Sequence, residues 1–205
     1  MNAIDIVIPT IRSPEEIAPL AEELASTAGV PVCIHATCMN VCAARNRNIG
    51  LDQCQSDIVI MVDDDMEGFP QGWAISLVEV LTSHPKCVMV SPQLAKKDGS
   101  PGCMMGGCSI AKSGVTKASE RKLPTACVAV RNNAIRFDES YVGSGWEDDD
   151  YAAQLRTAFP DCEFLVCHDV WIVHRNEAKN QRGPHWERNK SLFESKWKVK
   201  DSKHQ

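Results

Sequence analysis

The 205-residue sequence predicts an α/β domain with a mostly parallel central sheet flanked by helices. Short apolar runs alternate with helix-period segments from the N-terminus to about residue 91. The run Asp57–Val62 is apolar throughout its core, as a strand buried on both faces must be. The composition is 43% hydrophobic and 24% charged, enough to bury a core and to exclude disorder as the main state.

Ile4–Ile8 reads as the first strand and ends at Pro9-Thr10. Ser13 is placed as an N-cap, with Pro14 at the first helical position and Glu16 completing a capping box. Ile17, Leu20, Ala21 and Leu24 then recur at i, i+3, i+4 and i+7, one buried helix face. Gly29 stops that helix. Pro31–Ala36 is a second strand, Val41–Gln53 a helix, and Asp57–Val62 a third strand running into Asp63-Asp64-Asp65. A helix near Gln71–Ser83 and a strand at Cys87–Ser91 follow. The alternating order predicts a parallel sheet, whose ligands bind at the carboxyl ends of the strands. Pro9-Thr10 and the aspartate triplet both fall there.

Gly99–Gly114 holds five of the twelve glycines, too many for a stable helix, and reads as a mobile loop or lid. A strand at Ala126–Val130, a helix at Glu147–Phe159, strand pieces at Phe164–Cys167 and Val170–Val173 and a helix at Trp186–Trp197 complete the pattern. Without a repeat or a clear linker, one domain over 1–205 is expected. Residues 1–92 would form one half of it and residues 93–205 a second half with the basic tail.

Net charge is −5, but residues 1–174 carry −10 and residues 175–205 carry +5. The basic tail suits phosphate or a solvated helix. No apolar run approaches the roughly 20 residues of a membrane span, and no basic-then-apolar leader opens the chain. A soluble, cytoplasmic protein is expected. Ten cysteines include no C-x-x-C pair, and several sit in apolar runs, so free thiols are expected rather than a disulfide framework or a zinc finger.

Three constellations carry chemistry. Asp63-x-Asp65 places carboxylates at the end of a buried strand, oxygen ligands of the kind Mg²⁺ or Mn²⁺ takes. Gly145-Trp146-Glu147-Asp148-Asp149-Asp150 crowds acids onto a helix N-terminus, where one carboxylate can act as a general base. Trp146 offers a flat apolar face to a sugar or base. His174 ends an apolar strand and is a candidate ligand for a transition ion.

Together these motifs resemble an inverting glycosyltransferase of the family 2 type, with the glycosyltransferase-A (GT-A) fold. The resemblance rests on Ile4–Arg12, Ala44–Leu51, Val59–Asp65, Phe137-Asp138-Glu139, Gly143–Asp150 and Asn189–Trp197, in the family's order over nearly the whole chain. The acceptor-side run is also similar to that of β-1,4-galactosyltransferases. The resemblance implies Thr10 and Arg12 near the nucleoside, Arg45 near the donor, and Asp63 and Asp64 among the donor-binding residues. It implies Asp65 and His174 as metal ligands, with Asp63 near the ribose or the metal's water. Asp148 would be the base, with Asp149 or Asp150 as alternatives, and Gly145, Trp146 and Glu147 would meet the acceptor. Met66 leaves a single D-x-D register. The stretch Ile34–Cys38 departs from the family in lacking an acid after the second strand.

The implied cofactors are Mn²⁺ or Mg²⁺ and a nucleotide sugar, a UDP-sugar first. The acceptor would be a glycan, a protein, or a hydroxymethylated base in DNA met by the basic tail. A sugar-nucleotide nucleotidyltransferase is the rival enzyme, but Pro9–Ser13 lacks its Gly-rich basic loop. A non-catalytic nucleotide-sugar or glycan-binding module is the third reading. The sequence leaves oligomeric state open.

Overall fold

The computed structural model describes residues 3–100, 113–175 and 185–198. Five helices lie among them: α1 (Pro14–Thr27), α2 (Ala43–Leu51), α3 (Trp73–Ser83), α4 (Glu147–Ala158) and α5 (Trp186–Trp197). The strands are β1 (Ile4–Thr10), β2 (Val32–Cys38), β3 (Ile58–Val62), β4 (Met66–Glu67), β5 (Cys87–Ala95), β6 (Val115–Lys117), β7 (Cys127–Arg131) and β8 (Glu163–His174). They form one sheet in the order β2-β1-β3-β7-β5-β8-β4, with β6 also paired to β8.

Strand β1 pairs in parallel with β2 and β3, and β5 with β8. Strand β7 pairs antiparallel with both β3 and β5, so all five longer partners run the same way. The sheet is therefore mostly parallel, as expected, with β7 reversed inside it. After β5 the chain makes an excursion through β6 and re-enters from the carboxyl edge, which reverses β7. A uniformly apolar run such as Cys127-Val-Ala-Val carries no sign of its direction. The shared direction of β1, β3 and β8 brings Thr10, the aspartate triplet and His174 to one edge of the sheet.

Helix α1 begins as the sequence predicts. Glu16 N–H donates to Ser13 Oγ at 3.4 Å, and Ser13 N–H to Glu16 Oε2 at 2.8 Å. Ile17 and Leu24 are fully buried beneath it, each worth roughly 1.5–3 kcal/mol. Helix α2 differs in kind: its buried residues include Asn46, Arg47 and Asn48. It approaches β1 closely, because a Cβ on Gly50 would stand 2.3 Å from Val7 Cγ1. That contact fixes which face of α2 turns inward.

Strand β5 extends to Ala95 and is buried along its length. The two expected strand pieces after residue 163 are one strand, β8, whose register against β5 slips between Pro92 and Gln93. Short strands β4 and β6 were not foreseen, being too brief to show a period. Most of the expected Gly99–Gly114 lid, with Cys103 and Cys108, lies outside the described residues. So do 176–184 and 199–205, about half of the basic tail. No helix among the described residues is long and apolar enough to cross a membrane.

Candidate active site

The site starts where β3 ends. Past Val62 the chain turns through Asp63-Asp64-Asp65 and enters β4, whose Met66 pairs antiparallel with His174 of β8. That two-residue ladder sets Asp65 Oδ1 3.2 Å from His174 Nε2. Arg175 N–H donates to the Asp65 carbonyl at 3.1 Å and holds the backbone there. Both side chains are about nine-tenths buried. One ligand atom each from Asp63, Asp65 and His174 lies within 4.8 Å of the others. Two carboxylates and one imidazole are a donor set that fits Mn²⁺ or Mg²⁺.

Asp64 turns to the other side. Its Oδ2 accepts from Thr10 Oγ1 and lies 3.4 Å from Arg12 Nε. Arg12 N–H donates to Thr10 Oγ1 at 3.0 Å, so the end of β1 and the triplet are locked together. A groove of about 250 Å³ opens beside them, bordered by Arg12, Glu16, Leu20, Asp64, Glu67 and Arg175.

The second acidic run opens α4. Trp146 holds φ 72° and Gly145 φ 105°, and a Cβ on Gly145 would meet the Trp186 ring at 2.8 Å. Only glycine fits that turn. The turn folds Gly145 N–H onto Glu147 Oε2. Asn189, fully buried on α5, donates to the carbonyls of Val142 and Gly145 and pins the loop.

Arg47 joins the two acidic groups. Its Nη2 donates to Asp63 Oδ1 at 2.8 Å and its Nη1 to Glu147 Oε1 at 3.2 Å. The guanidinium lies 5.4 Å from the Phe137 ring centroid, and only 5% of the side chain is exposed. Burial opposes its charge, but Asp63, Glu147 and Asp148 outweigh burial and hold Arg47 above its usual range. Burial pushes the Asp63 carboxyl up, with Arg47 pulling against it and Asp65 adding to the rise.

The three aspartates after Glu147 separate by their partners. Asp149 accepts from Lys122 Nζ at 2.8 Å. Asp150 is fully buried and accepts from Tyr141, Gln154, Lys196 and Trp197, which ties α4 to α5. Among the described residues, Asp148 keeps as hydrogen-bond partner only the backbone N–H of Asp149, at 2.9 Å. Burial, with the Glu147 and Asp149 charges beside it, pushes the Asp148 carboxyl up to about 7, against the pull of Arg47. A carboxyl poised near neutrality suits a general base.

The remaining sequence-predicted residues are Arg45, Trp146 and Gly145. Arg45 is 58% exposed and lies 3.9 Å from Glu139. Trp146 is half-buried and packs its ring against Trp186 and Phe193, at 5.4 and 5.3 Å between centroids. Its indole N–H is buried and has no hydrogen-bond partner among the described residues. Gly145 acts through its backbone, on Glu147 and Asn189.

Arg47, Asn46, Asn48 and Asn189 were missed by sequence reasoning. Asn46 Nδ2 donates to the carbonyls of Thr10 and Met39. Asn48 exchanges hydrogen bonds with the Phe137 backbone, fixing the Phe137-Asp138-Glu139 segment to α2. The available signal was a helix with two Arg-Asn pairs and almost no apolar stripe. Such a helix must turn polar groups toward something specific.

The model of glycosyl transferase family 2 matches residues 5–137. No curated protein sequence matches the chain. Among solved structures, S. aureus TarS superposes with a TM-score of 0.62 at 14% identity, covering 98% of this chain and 40% of TarS. TarS 1–349 in complex with UDP gives 0.59 at 14% identity, covering 84% of this chain and 60% of that one. GalNAc-T7 with UDP, GalNAc and Mn²⁺ gives 0.55 at 12% identity, covering 82% and 37%. The chain thus spans less than two thirds of each of these, and at such identities the likeness is one of fold. The family match and the shared GT-A architecture agree, and the chain belongs to glycosyl transferase family 2.

Proposed function

We propose that this chain is a metal-dependent, inverting glycosyltransferase. It moves a sugar from a nucleotide-diphosphate sugar, of the UDP type, to an acceptor hydroxyl. One observation carries the reading. The candidate metal set Asp63, Asp65 and His174 and the acidic run Glu147-Asp148 are joined through a single buried cation, Arg47. The UDP in the TarS complex, and the UDP and Mn²⁺ in the GalNAc-T7 complex, support that class of donor and ion.

Asp65 and His174 would hold the ion, with Asp63 beside them, and a divalent cation there supplies positive charge against a departing diphosphate. Arg12 and Asp64 border the groove next to the triplet, and with Thr10, which donates to Asp64, they would take the nucleoside. Asp148 takes the proton of the acceptor hydroxyl as that oxygen attacks the anomeric carbon from the face opposite the leaving group. Glu147, clamped by Arg47 and the Gly145 N–H, keeps the acidic turn in place and its negative charge keeps Asp148 basic. Trp146 would meet the acceptor, and Arg45, 3.9 Å from Glu139, would lie near the donor. The acceptor is a glycan, a protein or a hydroxymethylated DNA base.

The test is donor turnover across nucleotide sugars with Mn²⁺ or Mg²⁺, followed by acceptor screening and NMR of the product linkage. Asp148→Asn should abolish transfer while UDP binding persists. A retained anomeric configuration, or near-full transfer by Asp148→Asn, would overturn the proposal. Release of pyrophosphate instead of a nucleoside diphosphate would make the chain a nucleotidyltransferase.

A further inference from the structure

The end of the sheet away from the aspartate triplet carries a second group of metal-ligating side chains. Asp5 stands near the start of β1, and the parallel register sets it opposite Cys33 on edge strand β2, with Val7 opposite His35. Side chains alternate along a strand, so Cys33 and His35 share a face, and register partners in a sheet point to the same side. The consequence is a cluster: one ligand atom each from Asp5, Cys33 and His35 lies within 4.8 Å of the others.

The carboxylate is fixed before any ion arrives. Asp5 Oδ2 accepts from the backbone N–H groups of Gln55 and Ser56, each at 2.7 Å, and its Oδ1 lies 2.7 Å from His35 Nε2. Burial works against its charge, but the bonds from His35, Ser56 and Gln55 prevail and hold Asp5 at about 2. His35 and Asp5 are mostly buried, at 14% and 8% side-chain exposure, whereas Cys33 is exposed and gives access from the sheet edge. Cys54 lies nearby, with Sγ donating to the Gly50 carbonyl at 3.3 Å. Burial and the Asp5 charge push its thiol up to about 12, so it stays protonated.

We infer that Asp5, Cys33 and His35 form a second divalent-ion site of Zn²⁺ type, with water as the fourth ligand. A thiolate, an imidazole and a carboxylate in one cluster select a borderline ion that prefers sulfur and nitrogen. Asp63, Asp65 and His174 contain no sulfur and suit a harder one. On binding, the Cys33 thiol gives its proton to solvent, and the liganding nitrogen of neutral His35 leaves its proton on the other ring nitrogen. The ion replaces the Asp5–His35 hydrogen bond and clips edge strand β2 to β1. Asp5 and Thr10 are five residues apart on β1, roughly 17 Å, so the two sites load independently.

The test uses Co²⁺ as a probe on the full chain. Only a sulfur ligand gives a thiolate-to-cobalt charge-transfer band, so the readout does not depend on the proposed transferase site. The wild type should develop the band with one equivalent and lose it when Zn²⁺ is added. Cys33→Ser should abolish it, and His35→Ala should weaken cobalt binding at least about tenfold, the loss that even outer partners of a ligand can cause. Zn²⁺ should also protect Cys33, and not Cys38, from alkylation in the wild-type protein, a measurement that needs no variant. Absence of the band, a band that persists in Cys33→Ser, or alkylation of Cys33 unaffected by Zn²⁺ would overturn the site.

Discussion

Replacing Asp148 by asparagine should strengthen the fold above neutral pH while removing transfer. Asparagine has the same shape, and its Oδ1 can still accept from Asp149 N–H. In the wild type, burial with Glu147 and Asp149 raises the carboxyl from 3.8 to about 7. The folded chain therefore keeps a proton that the unfolded chain loses from about pH 4 upward. Stability from this group is complete below that pH and is lost as pH climbs to about 7. At about 1.4 kcal/mol for each pH unit between the two values, the ceiling is about 4 kcal/mol. Water and side-chain relaxation in a partly exposed site reduce this to roughly 1–3 kcal/mol. Urea unfolding of both proteins in metal-free buffer, near pH 4.5 and near pH 8, reads the difference directly. The variant should gain little at the lower pH and most at the higher. An asparagine protein no more stable than wild type near pH 8 refutes the burial argument. In the wild-type enzyme the same group should give transfer an acid limb that rises through about pH 7, read from the pH dependence of kcat/KM.

Three further predictions follow from the geometry. Arg47→Met strips a buried cation from Asp63 and Glu147 and should cost about 3–5 kcal/mol, with Arg47→Lys intermediate because it keeps charge but not the two-armed fork. Chemical denaturation checks both variants, and equal losses from Met and Lys would show that geometry rather than charge governs the link. Asp65→Asn and His174→Ala should each weaken Mn²⁺ binding at least about tenfold by electron paramagnetic resonance titration, with the fold intact by circular dichroism; unchanged affinity would dissolve the metal set. Asp150→Ala leaves Lys196 without its buried partner and should destabilise the protein by about 3–5 kcal/mol, with α5 the first helix to lose hydrogen-exchange protection.

Much of the fold is written locally. The Ser13-Pro14-x-Glu16 start of α1, the apolar run of β3 and the span Trp186–Trp197 of α5 depend on caps and periods within a few residues, and the structure places them where the sequence does. The candidate site is legible as far as residue type plus position at a strand end can go, which is why Asp65 and His174 stand out. Arg47 is different. Two Arg-Asn pairs occur two residues apart, and a helix turns roughly 200° over that step, so one arginine faces solvent and the other the core. Nothing local says which. The tight contact of Gly50 with Val7 decides it, turning Arg47 inward and leaving Arg45 exposed.

The same limit governs the acidic run after Trp146, where three neighbouring aspartates read alike. Lys122 and Lys196, the latter with Tyr141 and Trp197, claim two of them from elsewhere in the chain, and Asp148 is left without a lysine partner among the described residues. The sequence by itself determined the α/β class, most helix and strand positions and the residue types of the candidate site. These follow from short-range periodicity and from which side chains can donate oxygen or nitrogen. Tertiary structure alone decided the reversed direction of β7, the choice of Arg47 over Arg45 and the distinct status of Asp148. Each of these depends on contacts between segments far apart in the chain, whose charges and surfaces meet only once the sheet has closed.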